Sequence, residues 1–187
     1  VTHDGAVAVL TIDRPEKRNA LSREVLSDLA ATFTAAAKDA SVKAAVVTGA
    51  GDKSFAAGGD RKDLESIRTR DDARAMADDA KLAFETIRRF PVPVLAALNG
   101  DALGGGAELA VACDFRLFAH HARIGFVQGR LNISTAWGGG VDLIRLVGPA
   151  VGLRLLSRSE MVAGSDAVAI GLGDAVAFPG QPLDDLV

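Results

Sequence analysis

The stretch Asn99-Gly100-Asp101-Ala102-Leu103-Gly104-Gly105-Gly106-Ala107-Glu108-Leu109 decides how the chain is read. Ahead of it, Val94–Leu98 is an apolar run set off by Pro91 and Pro93, which reads as a short buried strand. Within it, three glycines open an apolar segment, Ala107–Ala112, that suits a short buried helix. Phe115–Ala119 then returns as a strand. Strand, glycine turn, helix and strand in that order describe a right-handed crossover in a largely parallel sheet.

The alternation extends both ways. Toward the N-terminus, Ala6–Ile12 reads as a strand ending at Asp13-Arg14-Pro15. Ser22 can cap a helix whose apolar residues Val25, Leu26, Leu29, Phe33 and Ala37 recur at helical spacing. Ala44–Thr48 is a further short strand, followed by the small-residue loop Ser54–Asp60 and a short helix near Asp60–Ile67. A charged linker, Arg68–Asp72, leads to an amphipathic helix with Met76, Ala80, Ala83, Phe84 and Ile87 on one face. Toward the C-terminus, Trp137-Gly138-Gly139-Gly140 feeds a helix over Val141–Val147, with further helical patterns over Ala150–Leu156 and Ser165–Leu172. Residues 1–178 therefore read as one core domain, and 179–187 as the start of a truncated or continuing extension.

Composition bounds the function. The 187 residues are 49% hydrophobic and 24% charged, which excludes a disordered chain. A net charge of -3 argues against a phosphate-tracking surface, so no nucleic-acid partner is expected. The single cysteine, Cys113, excludes an internal disulfide and a multi-cysteine metal cluster, and no metal site is expected. No apolar run is long enough to span a bilayer. The expectation is a soluble, cytoplasmic protein without a membrane partner.

Two glycine-rich loops precede helices, at Ala57-Gly58-Gly59 and Gly104-Gly105-Gly106. Free N–H groups at a helix start point outward with the positive end of the dipole and can hold developing negative charge. Two such loops on neighbouring strands could aim two donors at one oxygen, the geometry of an oxyanion hole. Tight turns that merely let backbones pack closely would carry the same glycines. Glu108 has two readings as well: a charge complementing the helix dipole, or an acid/base group.

Taken together, several segments resemble the enoyl-CoA hydratase/isomerase (crotonase) superfamily. They are Asp13-Arg14-Pro15 with Asn19-Ala20-Leu21, Phe55-Ala56-Ala57-Gly58-Gly59-Asp60, Pro91-Val92-Pro93-Val94, Asn99-Gly100, Leu103–Leu109 and Cys113-Asp114. The resemblance implies an α/β fold, a spiral of β-β-α turns on two near-perpendicular sheets, assembled as homotrimers or dimers of trimers. It implies acyl-CoA substrates, with coenzyme A entering as part of the substrate rather than as a separate cofactor. By motif position the thioester oxygen would lie between the N–H groups of Gly59 and Gly105, with Glu108 as a catalytic glutamate. Arg18, Asn19, Ala20, Ala57, Gly58, Asp60, Gly104 and Trp137 are the implied substrate-binding residues.

One segment departs from the family. Where hydratases carry a second glutamate in a Gln-Pro-Glu run, this chain reads Gln128-Gly129-Arg130, which puts Arg130 at the glutamate's place. An arginine can neither activate water nor deliver a proton, but it can bind a carboxylate. The expectation is therefore an enolate-forming enzyme of this family with one acid/base glutamate. A decarboxylase of a malonyl-type thioester, with Arg130 reading the carboxylate, and a silent CoA-binding protein stand as alternatives.

Overall fold

The computed structural model describes residues 1–187. β1 (Thr2–Asp4) and β2 (Val7–Ile12) form an antiparallel pair across Gly5. A 3-10 turn, Pro15–Lys17, leads to α1 (Arg23–Ala36), which begins where Ser22 Oγ accepts the Val25 N–H at 3.3 Å. Leu26, Leu29 and Phe33 are its buried face, while Ala37 lies past its end and is exposed.

From β3 (Ala44–Gly49) onward one unit repeats: a strand in a first sheet, a strand in a second, then a helix. β3 is followed by β4 (Ser54–Ala56), α2 (Arg61–Ser66) and α3 (Arg70–Arg88). β5 (Val94–Leu98) is followed by β6 (Asp101–Leu103) and α4 (Gly105–Ala112). β7 (Phe115–Phe118) is followed by β8 (Arg123–Gly125), a 3-10 turn over Val127–Leu131 and α5 (Gly139–Arg158). β9 (Val162–Ala163), α6 (Gly164–Ala169) and β10 (Ala175–Val176) complete the order, and a 3-10 turn at Leu183–Leu186 lies near the end. The first sheet runs β1-β2-β3-β5-β7-β10, parallel except at β1; the second runs β4-β6-β8-β9, with β9 antiparallel.

Sequence periodicity alone predicts one sheet, and every strand it names (β2, β3, β5, β7) lies in the first. The second sheet is a correction to that reading. Its strands are two or three residues long, too short to show a period of two. The two helices expected beyond Trp137 are one element, α5, broken at Gly148 (φ 77, ψ 165) just before Pro149. The break falls between them because proline cannot continue the backbone hydrogen-bond ladder.

The amphipathic reading of α3 holds: Met76, Ala80, Ala83, Phe84 and Ile87 are all buried. A capping box at Thr69 and Asp72 starts the helix. Its Phe84 meets Trp137 edge to face at 5.9 Å between ring centroids, which brings α3 over the loop that precedes α5. Cys113 is a buried small hydrophobe whose thiol is pushed up to about 12 by burial.

Candidate active site

β4 and β6 are parallel neighbours, so the loops leaving their C-terminal ends lie side by side. The first runs from Ala57 to Asp60 and enters α2; the second is Gly104, which enters α4. A Cβ placed on Gly58 would sit 2.9 Å from the Leu103 carbonyl oxygen and 3.2 Å from the Gly105 nitrogen, so the two loops touch backbone to backbone. Gly104 holds φ 55 and ψ -114, a conformation open to glycine and strained for any side chain.

The N–H groups at the loop ends stay available. Leu21 bridges to Gly59 by donating to the Gly58 carbonyl at 2.7 Å and accepting from the Asp60 N–H at 3.0 Å, which leaves the Gly59 N–H unused. Gly105 is the first residue of α4 and has no preceding helical turn to accept its N–H. Both glycines line a cavity of about 790 Å³ whose other walls come from α2, α3 and the Val127–Trp137 segment.

Glu108 lines the same cavity from the first turn of α4 and is 2% exposed. Its Oε2 accepts the N–H groups of Trp137 at 3.0 Å and Gly139 at 2.9 Å. Its Oε1 accepts from Gln128 Nε2 at 2.9 Å. Burial raises the Glu108 pKa, while the Gly139, Trp137 and Gln128 hydrogen bonds pull it back down. A carboxylate held by three donors at the floor of a mainly apolar cavity has a fixed orientation and a proton affinity above the ordinary carboxylate range. Those are the properties of a general acid/base.

The structure distributes the other candidate residues unevenly. Ala57, Gly58, Gly104 and Trp137 line the cavity with Gly59, Gly105 and Glu108. The Trp137 ring covers the second loop, and a Cβ on Gly105 would fall 2.1 Å from its Cζ3. Arg18, Asn19, Ala20 and Asp60 are not in the lining but tie the first loop in place. Asn19, fully buried, donates to the carbonyls of Ala50 at 3.0 Å and Ser54 at 2.6 Å. The Ala57 N–H donates to the Arg18 carbonyl at 3.1 Å, and Arg14 bridges the Ala20 carbonyl at 2.6 Å and Asp60 Oδ2 at 2.8 Å. Arg14 holds the Asp60 carboxyl below its usual range, and Asp60 caps α2 through the Lys62 N–H.

Arg130 is the residue whose expected position needs correcting. Its guanidinium turns away from the cavity and donates from Nε and Nη2 to the Ser159 carbonyl, at 3.0 and 2.6 Å. No arginine or lysine lines the cavity. The side chain that faces Glu108 is Gln128, two residues before the position to which the Gln-Gly-Arg triplet pointed. Sequence reasoning missed it because a glutamine carries no charge signal and a 3-10 turn, Val127–Leu131, sets its direction. Twenty residues separate it from Glu108, and only the fold brings them together.

Comparison with known proteins fits this geometry. Residues 2–185 match the family model described as enoyl-CoA hydratase/isomerase. The chain is 38% identical over 180 residues to a crotonyl-CoA hydratase of Syntrophomonas wolfei, spanning 96% of this chain and 69% of that protein. It is 35% identical over 178 residues to a short-chain-enoyl-CoA hydratase of Clostridium acetobutylicum, spanning 95% of this chain and 68% of that one. Among solved structures, an enoyl-CoA hydratase from Bacillus anthracis superposes with a TM-score of 0.94 at 31% identity, covering 100% of this chain and 71% of that one. The chain belongs to the enoyl-CoA hydratase/isomerase family, and its two mixed sheets and repeated β-β-α unit are the crotonase fold. It is an enzyme of that family, acting on acyl-CoA. No helix is long and apolar enough to cross a membrane.

Proposed function

We propose that this enzyme holds an acyl-CoA thioester in the 790 Å³ cavity, with its thioester oxygen between the N–H groups of Gly59 and Gly105, and that Glu108 is its one acid/base group. The supporting observation is Glu108 itself: a buried, three-fold hydrogen-bonded carboxylate lining the same cavity as both loop ends. The named activities of the relatives favour reversible hydration of an enoyl thioester. In that reaction a water oxygen bonds to Cβ while one water proton passes to the Glu108 carboxylate. The electron pair moves onto the thioester oxygen as an enolate, where two N–H donors stabilise it. Glu108 then returns the proton to Cα, and the carboxylate is restored.

The coenzyme A moiety enters with the substrate, past the Arg18–Leu21 and Ala57–Asp60 segments that are laced together at the first loop. Arg18, exposed beside that loop, has a charge to offer a CoA phosphate. A malonyl-type decarboxylase would need a cation to read the free carboxylate, and with Arg130 on Ser159 nothing in the cavity supplies one. Homotrimeric assembly is also proposed, on the strength of exposed apolar side chains such as Leu131, Ile133, Val141, Leu153 and Phe178. Sedimentation velocity reads it directly.

Titration calorimetry with butyryl-CoA, together with loss of the conjugated thioester absorbance of crotonyl-CoA, tests the main reading. Binding with turnover supports it. Binding without turnover leaves a silent CoA-binding protein, and absence of binding overturns the site.

A further inference from the structure

Phe84 and Arg88 lie one helical turn apart on α3, and both reach the loop that enters α5. Arg88 Nε donates to Asp142 Oδ2 at 2.9 Å. Its Nη2 lies 2.7 Å from the same oxygen but off line, and it is buried without a hydrogen-bond partner of its own. That nitrogen lies against Gly138 instead: a Cβ there would fall 2.9 Å from it. Gly138 has φ 101, a conformation that glycine adopts freely, so the turn can come this close to the guanidinium. Replacing a largely buried ion pair with apolar side chains of similar volume is often neutral for stability. What this pair contributes is therefore placement.

The segment being placed is the one that holds Glu108. Gly138 stands between Trp137 and Gly139, whose N–H groups both donate to Glu108 Oε2. Asp142 lies one turn into α5, and its own N–H and that of Val141 close on the Gly138 carbonyl at 3.4 and 3.0 Å. Arg88 thus grips this turn at two points, the Gly138 backbone and the Asp142 side chain. Hydrogen bonds donated to a carboxylate favour its ionised form, so any drift of the two amides would raise the proton affinity of Glu108. Other charged groups on the elements around α4 are engaged elsewhere. Asp101 of β6 is held by Arg123, Arg116 of β7 by Asp174, and Arg130 by the Ser159 carbonyl. Glu85 and Arg145 flank the pair itself, 3.6 Å from Arg88 Nη1 and 3.5 Å from Asp142 Oδ1.

We propose that Arg88, paired with Asp142, is a positioning residue for the reaction: it holds the Trp137–Gly139 turn so that both amides point at Glu108 and keep that carboxylate ready to accept a proton. This rests on the reading of Glu108 as the acid/base group and deepens it. Arg88 is outside the cavity lining and acts only through the turn.

The test follows Glu108 in two ways. Carbon-13 NMR titrates its carboxyl carbon, assigned by its absence in Glu108→Gln. The acid limb of kcat/KM for crotonyl-CoA hydration reads the same group, which must be ionised to take the water proton. Arg88→Met should raise both midpoints by about one pH unit, the size expected when a hydrogen bond to a charged group is weakened. The double variant Arg88→Met with Asp142→Leu removes the whole pair and should melt close to the wild type, yet its midpoints should stay raised. Asp142→Asn keeps an oxygen for the Arg88 Nε–H and should leave the midpoints where they are in the wild type. Action through charge alone predicts wild-type midpoints in the double variant and lowered ones in Asp142→Asn, and either result would overturn the proposal. So would a lowered Tm with unmoved midpoints in Arg88→Met, the mark of a purely structural pair. A wild type that hydrates no crotonyl-CoA would instead overturn the hydration reading, while the NMR midpoints still decide what Arg88 does.

Discussion

Trp137 is joined to Glu108 twice over: its backbone N–H donates to Glu108 Oε2 at 3.0 Å, and its indole ring packs on Gly105, three residues earlier on the helix that carries Glu108. Glu108, the proposed acid/base group, and the second glycine loop are thus one rigid piece, and substitutions at the glycines test it.

A Cβ at Gly105 would lie 2.1 Å from the Trp137 ring, and one at Gly106 would lie 1.9 Å from the Ala56 carbonyl oxygen. A Cβ at Gly59 would meet Trp137 Cη2 at 3.4 Å, an ordinary contact. Gly106→Ala should therefore destabilise at or beyond the top of the roughly 1–3 kcal/mol range for overpacking, because backbone cannot step aside. Gly105→Ala should fold but displace Trp137 and lose most activity. Gly59→Ala should keep its stability within about 1 kcal/mol of wild type. Denaturant melts and hydration assays on the three variants give the order.

Glu108→Gln should reduce turnover by about 10²–10⁴-fold, since an amide cannot carry the proton. Its stability should move the other way. Burial raises the folded-state pKa of Glu108 above its ordinary 4.5, so the carboxyl favours the fold at pH below that value and loses this as pH rises through the raised pKa. The glutamine can present its oxygen to Trp137 and Gly139, with Gln128 turning over to accept its amide. At neutral pH the variant should melt no lower than wild type, and any gain should vanish in acid. A marked loss of Tm at neutral pH would contradict this.

Arg130→Ala should leave substrate selection alone. Its guanidinium holds the Ser159 carbonyl just past α5, where Ser159 has φ 49. The expected cost is about 1–2 kcal/mol of stability, with equal small changes for malonyl-type and neutral thioesters. A selective loss on malonyl-type thioesters would return Arg130 to the cavity.

The Arg14–Asp60 pair gives the acid limb of stability. Arg14 lowers the Asp60 pKa below 3.8, so the contribution is present above that value and is lost as pH falls through the lowered folded pKa. Asp60→Asn should cost about 1.5–3 kcal/mol at neutral pH, the range for a hydrogen bond to a charged group. Melts of both proteins should converge in strong acid.

Much of this was readable from the chain, but unevenly. β2, β3, β5 and β7 and the buried face of α3 show themselves because strands of four to six mainly apolar residues, or a helical stripe, leave a pattern to detect. Ser54–Ala56 and Asp101–Leu103 leave none, although the pairing of those two strands is what sets the glycine loops side by side. Gly59, Gly105 and Glu108 could be named from motif order. Gln128 could not, because its importance lies in a 2.9 Å contact with a residue twenty positions away. Arg130 drew attention by its charge, and its carbonyl partner at Ser159 leaves no trace in the sequence.

The start of α5 has no side-chain cap of its own: Gly138 stands at the cap position, and the first helical N–H, that of Gly139, reaches across to Glu108. In the proposed reaction the carboxylate that carries the proton is therefore also the anchor for the beginning of another helix. Whenever it takes up a proton, the negative charge that holds the Trp137 and Gly139 amides is neutralised, and those two bonds weaken together. Each catalytic cycle should slacken and retighten the Trp137–Gly139 wall in step with the proton, so that the chamber is most firmly shut when its base is ready to act.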